Sequence, residues 1–421
     1  MINKKLMTLT IIIISLLAIS AVSAEENITS DVVSINQDNI IITDYDNQPN
    51  PDNENVVLKT FTDLNNTING NQDNNIYLDE NYVFEPGTDD NFKDGIVISR
   101  SLTIWGNGST IDGYNNARIF KITASDVILH DIVFVNGNRP YGGAINGYST
   151  AVNCSFINNS APLHSAGGAM FLGFAINCSF INNSAGDGGA IFGNSVFEIT
   201  ADNCIFVNNS ANEGGAIYQG GGGNCTFIHN YAEHGGAMLS GSAKNCIFIN
   251  NSAEYGCALQ EGYALDCIFI NNYAEHGGAI YSAYSHPDLL YLEENEEERI
   301  FAENCTFINN SAKRGGALFG GAYVQNCDFI NNSAQEGGAA CNGLIVNCNF
   351  INNSAEYGGA ISLTQSLNCT FKNNIANKEG ENTYKSITNP VSKVSITMVT
   401  EVNNGITRLK ITLKDSKRKN N

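Results

Sequence analysis

Proline is scarce in this sequence, at 7 of 421 residues, and tryptophan occurs once. So little proline, with no triplet glycine period, excludes a collagen-like helix. Charge is sparse as well, at 15% of residues against about 25% in an average soluble domain. Basic residues are the scarcer sign: 22 Lys and Arg stand against 42 Asp and Glu, for a net charge of −20 and a pI of 4.6. No basic footprint for nucleic acid is left. Beyond the N-terminus, no apolar run approaches the ~20 residues of a membrane helix. What the chain has in excess is 62 Asn and 41 Gly, both poor helix formers. Apolar residues still make up 43%, with 21 Phe and 17 Tyr, too many for wholesale disorder.

Residues 1–24 read as a secretory signal. Lys4 and Lys5 give the positive start, Leu6 to Ile19 the apolar stretch, and Val22-Ser23-Ala24 the small residues of a cleavage site. The expectation is an exported protein with no helical membrane span after cleavage. Residues 25–55 are Asn/Asp-rich, lack periodicity and read as a linker.

From 134 to 384 one repeat dominates: Asn-Cys-x-Phe-Ile-Asn-Asn-Ser-Ala, followed by Gly-Gly-Ala. Its phenylalanines are Phe134, Phe156, Phe180, Phe206, Phe227, Phe248, Phe269, Phe307, Phe329, Phe350 and Phe371, spaced near 21 with one interval of 38. A fixed short period is the signature of a solenoid. Cys154 and Phe156 are two apart and share one strand face. Asn158-Asn159-Ser160 are turn formers, and Gly142-Gly143 permit positive φ or close backbone approach. Each unit is a few short strands that cannot bury its inner face alone. Stacked coils would place Phe over Phe and Cys over Cys at ~4.8 Å. The fold expected is all-β, a right-handed parallel β-helix of about three strands per coil. Residues 56–133 would hold the N-terminal cap and first coils. There Thr60 and Asp63 form a capping-box pattern, and Phe61, Leu64 and Ile68 share one face of a helix over 61–69. Residues 385–421 read as a β segment with a basic tail, able to cap the coil or begin a further sheet.

The Gly-Gly-Ala-Ile signals (Gly142 to Ile145, Gly188 to Ile191, Gly214 to Ile217) and Phe-x-x-Asn (Phe156 to Asn159) resemble the polymorphic outer membrane protein repeat. With the Asn-Cys-x-Phe-Ile-Asn-Asn-Ser-Ala core, the chain looks like the adhesin-like proteins of methanogenic archaea. That resemblance implies a pectin-lyase-like β-helix at the cell surface with an adhesive role. It implies partners such as a cell-surface glycan, an envelope polymer or a surface protein of another cell.

Ten of twelve cysteines form one column: Cys154, Cys178, Cys204, Cys225, Cys246, Cys267, Cys305, Cys327, Cys348 and Cys369. In-register side chains point the same way, so a core ladder of thiols is expected in preference to bridges. Fifteen Asn-x-Ser/Thr sequons occur, readable as glycosylation sites or as incidental to Asn-Asn-Ser turns. The positions before Gly-Gly vary most. Glu213, Glu233, His234, Glu254, Tyr255, Glu275, His276, Lys313, Arg314, Glu336, Glu356 and Tyr357 would align as a mainly acidic surface stripe, the candidate binding site. His234 and His276 lie two coils apart with Tyr255 between them, so no zinc site is expected, nor any other cofactor. An insertion at about 282–300, rich in Glu, is a local binding candidate or an acidic excursion. No catalytic set stands out. The expectation is a non-enzymatic surface adhesin. The alternative is a carbohydrate-active enzyme, a polysaccharide lyase or glycoside hydrolase, with Asp126, His130 and Asp131 as its best candidates.

Overall fold

Asparagine sets most corners of the repeated coils. The computed structural model describes residues 58–193, 199–282, 301–389, 394–403 and 406–415. The signal, the linker, most of the insertion (283–300) and the last residues of the tail lie outside these. Asn153 and Asn158, with φ of 54° and 55°, hold the left-handed conformation on either side of strand Ser155–Ile157, and their successors do so in coil after coil. Asn tolerates this conformation better than any other residue with a side chain, apart from Asp, because its short amide bonds locally. The chain therefore turns without needing glycine there.

Fourteen strands, from Lys59–Thr60 to Thr370–Lys372, form one parallel sheet in unbroken register, giving a parallel β-solenoid of about 14 turns. At ~4.8 Å per coil its length is about 65 Å. Two further ladders, through the Gly-Gly-Ala-Ile strands and the strands before each Asn-Cys, merge into a second sheet. They fuse where Leu318–Gln325 and Ala340–Val346 run through the corner as single strands. A third sheet begins at Ser210–Glu213 and continues through Ser311–Arg314. Each regular coil thus has four short segments in three sheets rather than three plain strands, because one left-handed residue bends the second sheet.

The interior is a set of columns. Eleven phenyl rings from Phe134 to Phe371 stack with centroids 4.7–5.1 Å apart, the spacing of the backbone ladder itself. Beside them run the ten cysteines, all free and all but Cys369 buried. Each thiol sits close to backbone carbonyls; Cys178 Sγ lies 3.4 Å from Ala151 O and 3.3 Å from Ile176 O. Burial holds the Cys154 and Cys225 thiols well above their ordinary pKa, so they stay protonated.

A third internal column is polar. Asn159, Asn183, Asn209, Asn230, Asn251, Asn272, Asn310, Asn332, Asn353 and Asn374 are at most 1% exposed. The left-handed residue before each one turns it inward. Asn251 is typical. Its Oδ1 accepts the Asn230 backbone N–H and Nδ2, each at 3.0 Å. Its Nδ2 donates to Phe227 O at 3.1 Å and to Asn272 Oδ1 at 3.0 Å. Every buried amide is thereby satisfied by its neighbours in the column.

The expected helix forms over Phe61–Asn69 and covers the first coil with Phe61, Leu64 and Ile68. Thr60 and Asp63 complete the capping box, and the Thr60 N–H holds the Asp63 carboxyl below its usual range. The fully buried Asp89 accepts from the N–H groups of Phe61, Thr62 and Glu85. At the other helix end, Arg100 donates to the carbonyls of Ile68, Asn71 and Asp73. Val394–Asn403 and Ile406–Asp415 form an antiparallel hairpin paired over ten positions.

Candidate functional site

The Gly-Gly turn builds the most varied surface of the solenoid. Its first glycine has positive φ, 61° at Gly214. A Cβ on the second, Gly215, would lie 2.1 Å from Gly236 O. The chain doubles back tightly, so the residue before Gly-Gly meets the residue that follows Gly-Gly-Ala-Ile, usually in the next coil.

Period-two alternation splits the expected stripe into two columns. Glu233, Glu254, Glu275, Lys313 and Glu356 fall in an outer column, where Lys313 pairs with Glu275 and Lys378 with Glu356. Lys313 holds the Glu275 carboxyl below its usual range. Glu213, His234, Tyr255, His276, Arg314, Glu336 and Tyr357 are paired residue to residue in successive coils. These seven line a seam against a facing column that includes Phe192, Tyr218, Tyr281, Phe319 and Tyr384.

Rings and charges interleave along the seam. His234 stacks on Tyr255 at 5.2 Å, Tyr255 on His276 at 5.8 Å, and His276 tilts against Phe319 at 5.0 Å. The Arg314 guanidinium lies 4.7 Å from the centre of the Phe319 ring and 3.3 Å from Glu336 Oε2, while Ser362 Oγ donates to Glu336 Oε1 at 2.8 Å. Burial lowers the His276 pKa, with Arg314 adding to the effect. Burial, and then Glu213, raise that of Asp187 in the preceding coil of the same column. Among the described residues the buried Nδ1 atoms of His234 and His276 have no hydrogen-bond partner, and neither does Gln260 Oε1. The facing aromatic column was readable in principle, since Phe192, Tyr218 and Tyr281 all follow Gly-Gly-Ala-Ile directly.

The enzyme candidates occupy ordinary structural places. Asp126 and Asp131 take the left-handed corner conformation, with φ of 55° and 54°, as asparagine does elsewhere. His130 stacks on Trp105 at 4.1 Å. Among the described residues no three His, Cys, Asp or Glu side chains converge as a metal site, and no helix is long and apolar enough to cross a membrane.

Four segments, 177–194, 203–220, 266–283 and 304–321, match the family model of the Chlamydia polymorphic membrane protein repeat. The repeat is thus found in four segments of the solenoid. No curated protein matches the chain. Among solved structures, a PL6 alginate lyase in complex with a trisaccharide aligns over 84% of this chain and 90% of its own, at 13% identity and a TM-score of 0.35. The alginate lyase AlyF-OU02 in complex with G6 aligns over the same shares, at 13% identity and a TM-score of 0.36.

Proposed function

We propose that this chain is an exported, surface-displayed adhesin-like rod, non-enzymatic, whose seam and outer acidic column contact a partner on a cell surface or envelope. The observation that carries the reading is the seam. Half-buried rings and ionisable groups repeat in register along the solenoid axis, while the coils beneath them are nearly identical. Such a surface offers an extended partner the same contact many times, and weak contacts in series give avidity. The polymorphic membrane protein repeats support display at a surface, and the signal at 1–24 supports export. An envelope polymer or cell-surface glycan fits the elongated seam better than a small ligand does.

The mature protein should bind whole cells or members of a glycan array. Replacing Tyr255, His276 and Phe319 together by alanine should cut that binding at least tenfold while the β-sheet circular dichroism stays unchanged. Undiminished binding by this variant would remove the seam from the proposal. Depolymerisation of an acidic polysaccharide by the purified protein, lost in Asp126→Ala or Asp131→Ala, would replace the adhesin reading with the enzymatic one.

A further inference from the structure

The fold sorts most of the Asn-x-Ser/Thr sequons into two corner columns, one at each end of the strands of the fourteen-stranded sheet. Asn153, Asn177, Asn224, Asn304 and Asn368 precede the strands, each followed by a cysteine of the core ladder. Most of this column is tied into an amide ladder. Asn224 Nδ2 donates to Asp202 Oδ1 at 2.8 Å, Asn304 Nδ2 to Asp266 Oδ1 at 3.1 Å and Asn368 Nδ2 to Asn347 Oδ1 at 2.7 Å. Asn177 Oδ1 accepts from Asn203, while Asn153, first of the column, stands outside the ladder. The other column follows the strands in the form Asn-Asn-Ser: Asn158, Asn182 and Asn208, then Asn250, then Asn309, Asn331 and Asn352. The second asparagine of each pair supplies the buried internal column, which leaves the first amide free. Six of these seven are exposed and Asn250 is half-buried. Among the described residues the one side-chain contact they make is that of Asn250 Nδ2 with His229 Nε2 at 3.5 Å. Immediately before these corners runs an aliphatic column on the outer face of the sheet, in register from Ile157, Ile181 and Val207 to Ile351.

We propose that the Asn-Asn-Ser column is N-glycosylated and that its glycans shield the aliphatic column beside it. Asn-x-Ser is an acceptor for glycan in an exported chain, so the proposal rests on the export half of the reading above. Transfer joins Asn Nδ2 to the anomeric carbon of a lipid-linked oligosaccharide. The carbon–nitrogen bond forms, the carbon–oxygen bond to the lipid phosphate breaks, and the proton lost from Nδ2 passes to a base of the transferase. A sugar on Asn224, Asn304 or Asn368 competes with the ladder bond its amide already makes. One on Asn158, Asn182, Asn208, Asn309, Asn331 or Asn352 breaks no hydrogen bond of the coil. The free column therefore accepts glycan and keeps the fold, whereas the tied column does not. A long exposed aliphatic stripe invites association, and a bulky, solubilising sugar next to it opposes that.

Glycopeptide mass spectrometry on the full chain, purified from the cell that makes it, tests this. Peptides holding the Asn-Asn-Ser sites should carry glycan mass, and those holding Asn224, Asn304 and Asn368 should not. Ser333→Ala leaves Asn331 in place and removes only the hydroxyl of its sequon, so glycan at Asn331 should fall at least tenfold. Persistence of that glycan would refute sequon-directed transfer, and equal occupancy of the two columns would refute the sorting by free amides. Bare Asn-Asn-Ser sites on exported, signal-cleaved protein would overturn the proposal and leave the export reading intact. An uncleaved chain retained inside the cell would overturn both. For the shielding, alanine in place of all seven sequon serines should raise binding of an apolar dye while the β-sheet circular dichroism is retained. Unchanged dye binding by that variant would show that the glycans do not cover the aliphatic column. The seam carries no sequon, so its binding experiment stands apart from this one.

Discussion

Asn250 and Asn251 are adjacent and chemically identical, yet the structure assigns them different energies. Replacing Asn251 by alanine removes four hydrogen bonds of its side chain: two accepted from Asn230 and two donated, to Phe227 O and Asn272 Oδ1. At about 1 kcal/mol net for each, the loss is ~4 kcal/mol. The Asn230 backbone N–H is left buried without an acceptor. Asn250 holds φ of 52° at the corner and is only half-buried. There alanine costs the left-handed strain, about 1 kcal/mol, and only a long, exposed contact to His229 Nε2 at 3.5 Å. A solenoid need not unfold as one unit, so hydrogen exchange coil by coil is the suitable assay. In Asn251→Ala the amide protection of Asn230 and its coil should fall roughly 10³-fold, since ~1.4 kcal/mol is a factor of ten. In Asn250→Ala it should fall about fivefold, by the same conversion of ~1 kcal/mol. Equal losses at the two positions would show that the internal amide column is not what stabilises the coil.

Other expectations follow from local geometry. Gly215→Ala drives a Cβ onto Gly236 O and should destabilise by about 1–3 kcal/mol or more in thermal melts. By contrast, Gly222 pairs with Ala201 and Ala243 in its ladder and meets nothing closer than 3.3 Å. Gly222→Ala should therefore raise stability by about 0.4–1 kcal/mol. Phe248→Ala, which opens a gap in a fully buried ring stack, should cost about 3–5 kcal/mol. The lowered His276 pKa means that the unfolded chain binds this proton more readily than the folded one. Its contribution to stability is complete above the unfolded value of about 6.5 and declines as pH falls below it. His276→Gln should flatten the acid limb of a stability–pH curve; an unchanged curve would refute this.

The period, the Phe and Cys columns and the helix over 61–69 were legible because each depends on spacing within one segment. Features that cross a corner were not. A left-handed residue resets the in-and-out alternation, so Asn159 points inward although a continued strand would not place it there. Plain alternation within one strand turned the expected stripe into an outer column and a seam. The aromatic partners of the seam were obscure for a different reason: His276 meets Phe319, 43 positions away, only because an insertion separates consecutive coils. The acidic corner residues Asp126 and Asp131 resembled chemistry because a carboxylate and an amide are interchangeable at a left-handed turn.

The asparagine column also has a direction. From Asn159 to Asn353 each Nδ2 gives one hydrogen back to a phenylalanine carbonyl and one forward to the Oδ1 of the next coil, and each Oδ1 receives from the coil before. A coil is therefore incomplete until its successor arrives with an acceptor, whereas its own acceptor is useful at once. A chain folding from its N-terminus would thus add coils to a finished helical base one at a time, each settling the polar demand of the last. Growth in the opposite sense would satisfy each new donor pair at once and leave the Oδ1 of the leading coil waiting instead.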